Sequence, residues 1–345
     1  MSKRIKIINQ LDSLRAFAAF SVIVFHFLLE YELGVFSFGW IGVDLFFVIS
    51  GYLISAILLE QKDIINNKFL IIKNFIIKRA LRLFPTYYLL IFFSLFLSLA
   101  FGLYVWDSGD GIYYYTYTQN ILFFIEGMKG VQLNHLWTLA VEEQFYLFWP
   151  WILIYISNKW LIRTLFIIIP LTLFFKAFSG IEELRMLTFS HFDTLGGGAL
   201  VALLLKEKGE YYFSFLNKAK SLTIFIPLTI LILGAFYNVV CFFTVLAVLV
   251  LSISLLIGCY YNFNGMFGKI LNLRQLKYLG KISYGLYLYH KPIPYCFKLI
   301  VSKSHIQINN VILFILSIFF TVLIAHLSYN LLEKHFLKLK VKFDL

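Results

Sequence analysis

Two residues in the stretch LDSLRAFAAFSVIVFHFLLE, residues 11–30, do not suit an apolar segment: Arg15 and His26. A guanidinium holds anions and an imidazole moves protons near neutrality. The pair therefore suggests an anion held at one end of the segment and proton chemistry done at the other. An α-helix rises about 1.5 Å and turns about 100° per residue, so eleven residues bring Arg15 and His26 onto one stripe about 16 Å apart. An ionisable stripe on an apolar helix is expected to face a pathway, because such groups are costly in hydrocarbon.

Ionisable residues recur in the other apolar stretches. Asp44 lies in GWIGVDLFFVISGYLIS, Glu142 and Glu143 in LWTLAVEEQFYLFWP, and His191 and Asp193 just ahead of TLGGG. Counting inward from the outer helix ends puts these five and His26 about 6–12 Å deep, in one outer layer. Glu142 and Glu143 project about 100° apart, so the two cannot face one partner. In RALR, Arg79 and Arg82 lie three residues apart on one face, an arrangement suited to bidentate phosphate capture. Arg15 sits at a similar depth. A cytosolic acyl-CoA could leave its phosphates on the arginines and push its thioester through a continuous passage to His26. The distance, about 16 Å, is comparable to an extended pantetheine arm. Each residue also has a plainer role available, as a packing hydrogen bond between helices or as a cytoplasmic charge anchor.

The elements that must position these residues are membrane helices. The 345-residue chain is 61% hydrophobic and only 14% charged, with mean hydropathy +0.83, outside the soluble range. Apolar runs predict an all-α polytopic membrane protein of about ten spans. They fall near 11–31, 38–59, 83–104, 137–157, 161–178, 187–205, 221–237, 239–260, 282–301 and 309–332. With both termini cytoplasmic, 23 Lys and Arg fall in cytoplasmic segments and 6 on the opposite side, as the positive-inside rule requires. The net charge of +12 is thereby accounted for by topology and anionic lipid, and nucleic acid is not needed as a partner. The N-terminal MSKRIKIINQ resembles the start of a secretion signal. The apolar run after it is long enough to span and no small-residue cleavage site follows, so an uncleaved first helix is expected. Residues 1–345 are expected to form a single transmembrane domain with no separate soluble one; 105–136 is the longest stretch between spans. Cys241, Cys259 and Cys296 share no metal or redox spacing and are expected as small buried hydrophobes.

These motifs, in this order, resemble the acyltransferase type 3 membrane family, and the resemblance runs from residue 10 to about 336. It implies transfer of acyl groups, most often acetyl, from cytoplasmic CoA thioesters to sugars of bacterial surface glycans at the inner membrane. It implies a catalytic role for His26 with Arg15 as its partner, and a donor-binding role for Arg79 and Arg82. It matches the family's W-[ST]-L-x-x-E-E-Q-[FY] segment to Trp137, Glu142, Glu143 and Gln144. A second segment matches Ser283, Tyr284, Tyr287, Leu288 and His290, and a terminal pattern matches Ser328, Tyr329 and Glu333. Two positions depart from the family. His191 stands where many members have arginine, so the acceptor pocket can differ in charge, and His335 replaces a proline after Glu333 and Lys334.

The expected reaction is O-acetyl transfer from acetyl-CoA, with no metal, since the His and carboxylate residues lack a ligand spacing such as H-E-x-x-H. His26, oriented by Glu142 or Glu143, would take the proton from a sugar hydroxyl as it attacks the thioester. Arg15, Arg79, Arg82 and Tyr284 are the expected donor-binding residues. Asp44, Trp137, His191, Asp193, Tyr287 and His290 are the expected acceptor-binding residues, with Tyr284, Tyr287 or Trp137 donating to the oxyanion. The acceptor stays open between the O-antigen of lipopolysaccharide, capsule, exopolysaccharide, peptidoglycan, lipid-linked sugars and small molecules. A proton-coupled transporter or flippase is the competing reading: it accounts for the buried acids and histidines but not for R-x-x-R or the Arg15–His26 stripe.

Overall fold

The structure is a computed structural model and describes residues 8–33, 39–101, 106–107, 109–128, 132–209, 211–237, 242–304 and 308–343. Lys3, Arg4, Lys6 and Lys129, used in the charge comparison, and Cys241 lie outside these residues. Helices carry the fold, and no strand occurs among the described residues. The main ones are α1 (Leu11–Glu30), α2 (Ile41–Ile64), α3 (Lys68–Phe101), α4 (Trp137–Tyr155), α5 (Asn158–Phe178) and α6 (Thr194–Lys208). They are followed by α7 (Lys220–Phe236), α8 (Phe242–Tyr260), α9 (Ser283–Tyr289), α10 (Pro292–Ser304) and α11 (Asn310–Ser328).

Six described helices are long and apolar enough to cross a membrane: α1, α2, α3, α5, α8, and α11 with its continuation to Phe343. The other expected spans hold helices that are shorter, less apolar or broken. The segment expected at 187–205 begins with a 3-10 turn, Thr188–His191, and becomes α-helical only at Thr194. The segment expected at 282–301 is two helices, because its backbone turns at His290 and Lys291. The cause is local: Pro292 and Pro294 have no N–H to give to the turn before them. Large apolar side chains cover the outside of the bundle, with Leu99, Ile167 and Phe225 each more than three-fifths exposed. Only a lipid solvent makes such a surface stable.

Helix α2 is the centre of the bundle, and small residues let its neighbours approach backbone to backbone. A Cβ on Gly42 would stand 2.3 Å from the Ala18 carbonyl oxygen of α1. On the other side, a Cβ on Gly198 of α6 would stand 2.0 Å from the Val48 carbonyl oxygen, and one on Gly51 would stand 1.9 Å from that of Leu195. The α2–α6 contact therefore has no room for side chains. Gly198→Val is expected to cost more than about 3 kcal/mol, read as a lowered Tm in detergent. Gly196→Ala, whose added carbon meets the flexible end of Leu165 at 3.1 Å, serves as the mild control. At the start of α1, Gln10 and Ser13 fix its position: Gln10 Nε2 donates to the Phe263 carbonyl at 3.1 Å, and Ser13 Oγ to that of Leu271 at 2.6 Å. Of the remaining cysteines, Cys259 is buried and Cys296 half-buried.

Candidate active site

The ionisable residues expected in one outer layer divide into separate cavities. The first, of about 700 Å³, lies where α1, α2, α3, α4 and α9 meet. Arg15, Arg79 and Arg82 all line it, with Ser50, Glu142, Tyr146, Tyr284 and Tyr287. The two α3 arginines enter it together because three residues make nearly one helical turn. Arg79 is held flat between two rings, 5.3 Å from the centre of Phe75 and 5.2 Å from that of Tyr146. Among the described residues, no carboxylate stands within ion-pair distance of any of the three guanidinium groups. Glu142 shares the cavity but is committed elsewhere: it accepts from Ser50 Oγ at 2.9 Å and from Tyr146 Oη at 3.0 Å. Three unpaired guanidinium groups around one void make a site for a polyanion.

His26 opens into a different cavity, of about 710 Å³, lined also by Glu30, His290, Lys291, Tyr295 and Lys298. Its ring partner is an imidazole and not a carboxylate: His26 Nδ1 lies 3.1 Å from His290 Nε2. This corrects the expectation that Glu142 or Glu143 orients His26. Glu142 faces the arginines, and Glu143 lines a lateral cavity with Arg79, Tyr117 and Gln144, where its Oε1 has no hydrogen-bond partner. His290, expected to bind acceptor, lines the His26 cavity and is the ring neighbour of His26. A further imidazole, His135, packs on it with ring centres 4.7 Å apart.

The arginine and His26 cavities have no lining residue in common, and the continuous passage expected between them is not seen among the described residues. Tyr287 forms the partition. Its ring lines the arginine cavity and lies 5.2 Å from the His290 ring. Its hydroxyl pairs with Thr138 Oγ1 at 2.7 Å and donates to the His135 carbonyl. Tyr287, expected to bind acceptor, thus lines the arginine cavity and stands between it and His290. The expected oxyanion donors are also engaged or displaced. Tyr284 Oη donates to the Leu83 carbonyl at 2.9 Å, and Trp137 lies in another cavity. Two cations line the His26 cavity: Lys298, paired with Glu30 at 2.8 Å, and Lys291, whose Nζ donates to Asn134 Oδ1 at 2.7 Å.

That other cavity, of about 860 Å³, gathers four of the residues expected to bind acceptor: Asp44, Trp137, His191 and Asp193. Lys176 and Arg185 join them. Lys176 Nζ is 2.9 Å from Asp193 Oδ2 and 3.6 Å from Asp44 Oδ1, with all three side chains less than a tenth exposed. Asp193 also caps α6, its Oδ1 accepting from the Thr194 N–H at 2.9 Å. His191 Nε2 donates to the Arg185 carbonyl at 2.7 Å. Arg185 thus brings a guanidinium to the cavity in which this chain has His191. Gln144 is a tether, its Nε2 donating to the Tyr117 carbonyl at 2.9 Å and to Asn120 Oδ1 at 2.8 Å. Glu333, in a π-helical turn after α11, is buried against α9 and its Oε1 has no hydrogen-bond partner.

His135, Lys176, Arg185 and Lys291 were not among the expected site residues. Lys176, Arg185 and Lys291 had been counted only as charges on the outer side, although Lys176 and Lys291 fall inside expected spans, where an ionisable residue is a site candidate. His135 falls just ahead of LWTLAVEEQ, outside any expected span.

A family model described as an acyltransferase domain matches residues 8–329. The chain is 30% identical over 352 residues to a putative peptidoglycan O-acetyltransferase, YrhL, of Bacillus subtilis, covering 94% of this chain and 54% of that protein. It is 31% identical over 361 residues to the peptidoglycan O-acetyltransferase OatA of Listeria monocytogenes, covering 95% and 55%. It is 28% identical over 354 residues to the O-acetyltransferase OatA of Staphylococcus aureus, covering 94% and 56%. The chain spans about half the length of these curated relatives. No solved structure is significantly similar to it.

Proposed function

The chain belongs to the acyltransferase family whose model it matches, and on that premise we propose that it moves an acetyl group from cytoplasmic acetyl-CoA to a sugar hydroxyl of peptidoglycan. The observation that carries the donor half is the set of three unpaired guanidinium groups lining one cavity. Phosphates are the ligand that such a set recognises, and acetyl-CoA is an acetyl donor that brings several. The names of the relatives favour peptidoglycan over lipopolysaccharide as the acceptor. The excess of Lys and Arg in the segments read as cytoplasmic supports a bundle oriented with the start of α1 inside, which puts the arginines toward the donor and His26 toward the acceptor.

In the reaction, the His26 imidazole takes the proton of the acceptor hydroxyl as its oxygen attacks the thioester carbonyl. The C–S bond breaks, the acyl C–O bond remains, and the imidazolium returns its proton to the leaving thiolate. Lys291 supplies positive field to the developing oxyanion. For thioester and imidazole to meet, the Tyr287–Thr138 contact has to open, because it closes the way from the arginine cavity.

Membrane vesicles given ¹⁴C-acetyl-CoA on the arginine side and peptidoglycan fragments on the other test the reading. Label is expected in the glycan; label that never leaves the CoA pool refutes it. In the same assay Arg79→Ala and Arg82→Ala are each expected to raise the KM for acetyl-CoA by roughly 10- to 100-fold, the loss of a charge-assisted hydrogen bond. The KM for glycan stays unchanged. A change confined to the acceptor would mean that the arginines do not hold the donor.

A further inference from the structure

The break between α9 and α10 does more than interrupt a helix. It frees backbone carbonyls at the Tyr287–Leu288 end of α9, since the chain turns at His290 and Lys291 and Pro292 has no N–H to return to Leu288. Two imidazoles occupy those carbonyls. His290 Nδ1 lies 2.5 Å from the Tyr287 carbonyl oxygen, and His135 Nε2 lies 3.1 Å from that of Leu288. A carbonyl oxygen only accepts, so both nitrogens must carry hydrogen. His290 is fully buried, has no carboxylate among its charged neighbours and lies beside the cation Lys291, so a second proton on its ring would be an uncompensated buried charge. Its Nε2 is then a bare acceptor. That nitrogen faces His26 Nδ1 at 3.1 Å, and two bare nitrogens do not bond, so the hydrogen between them belongs to His26. His26 Nε2 is left without a proton.

We infer that His290 is the positioning residue of the reaction: held by the Tyr287 carbonyl, it fixes His26 in the tautomer whose Nε2 is free to take a proton from the acceptor hydroxyl. The inference rests on the reading of His26 as the base, and it adds the origin of that base's polarity. A proline-broken helix end does the work that a carboxylate does in a Ser-His-Asp triad, where loss of the correct tautomer lowers kcat by about 10⁴-fold.

The test uses the whole chain in proteoliposomes, with acetyl-CoA as donor and peptidoglycan fragments as acceptor. His290→Gln places an acceptor oxygen near the position of Nε2 and keeps the bond to His26, but gives up the donor to Tyr287. His290→Asn does the reverse, keeping a donor near the position of Nδ1 and offering His26 nothing. Positioning predicts kcat within about tenfold of the parent for His290→Gln and about 100-fold lower for His290→Asn, with the KM for acetyl-CoA unchanged in both. A merely structural histidine predicts the opposite order, because the asparagine preserves the carbonyl bond that supports the turn. Equal values in the two variants, or a higher kcat for His290→Asn, overturn the inference. His26→Ala is the control: if it stays active, the base assignment itself fails; if it is inactive and the order is reversed, only the role of His290 fails.

Discussion

Replacing His26 with alanine is expected to lower acetyl transfer by about 10³-fold, within the range that a positioned general base supplies. Folding should be unaffected. The ring lines an open cavity, and its polar contacts are the backbone of Val22 in its own helix and His290, whose other nitrogen keeps its carbonyl partner. Truncation therefore enlarges a void already present, and the one group it leaves unpaired in the packed core is His290 Nε2. The KM for acetyl-CoA should not move, since the arginines line a separate cavity. The checks are label transfer at saturating donor, donor KM, and Tm in detergent, measured on one preparation. Activity within tenfold of the parent, with the protein intact, would end the assignment.

The largest effect on stability is expected from Lys176. Its ammonium is the cation between Asp193 and Asp44, and all three side chains lie in the interior. Lys176→Met keeps the length of the side chain and removes the charge, leaving two buried carboxylates with Arg185 as the remaining cation lining their cavity. Breaking a buried pair in this way costs about 3–5 kcal/mol. The loss should reach α6, because Asp193 also caps that helix and a displaced carboxylate releases the Thr194 N–H. Thermal denaturation in detergent reads the effect, and the double variant Lys176→Met with Asp193→Asn should recover part of it. Asparagine removes one of the two charges and still offers an oxygen to the cap. A single variant as stable as the parent would show that the three groups are not held together by charge.

How much of this the sequence discloses depends on the kind of constraint. Apolar runs of spanning length disclosed the helical segments, because the bilayer imposes length and hydropathy on one local stretch. Arg15, Arg79 and Arg82 share a cavity as their depths and spacing suggested, since helix periodicity is a local rule too. The partner of His26 was not legible. Counting depth along α4 assumed that the chain enters the membrane at Trp137, yet His135 and Leu136 are already buried and His135 bonds α9. Glu142 consequently falls beside the arginines and not beside His26. The prolines in HKPIP did carry a signal for the break at His290, since two missing N–H groups so close together end a helix. What no local pattern states is which carbonyls that break exposes, that His135 ahead of α4 meets one of them, and that His26 of α1 arrives beside His290. Lys176 was obscured for a similar reason: from sequence it is one more charge near a helix end, and only the packing of α5 against α2 and α6 turns it into the centre of a buried triad.

The Tyr287–Thr138 partition has a consequence for the cell as well as for the reaction. A protein with wet vestibules on both faces of an energised membrane risks short-circuiting the proton-motive force, since a file of water conducts protons. Here each hydroxyl in the dividing layer already has a use for its one hydrogen: Tyr287 Oη donates to the His135 carbonyl, and Thr138 Oγ1 donates to Tyr287 Oη. Nothing in that layer invites a water file to form. Among the described residues, a layer so satisfied resists proton leakage between the two cavities.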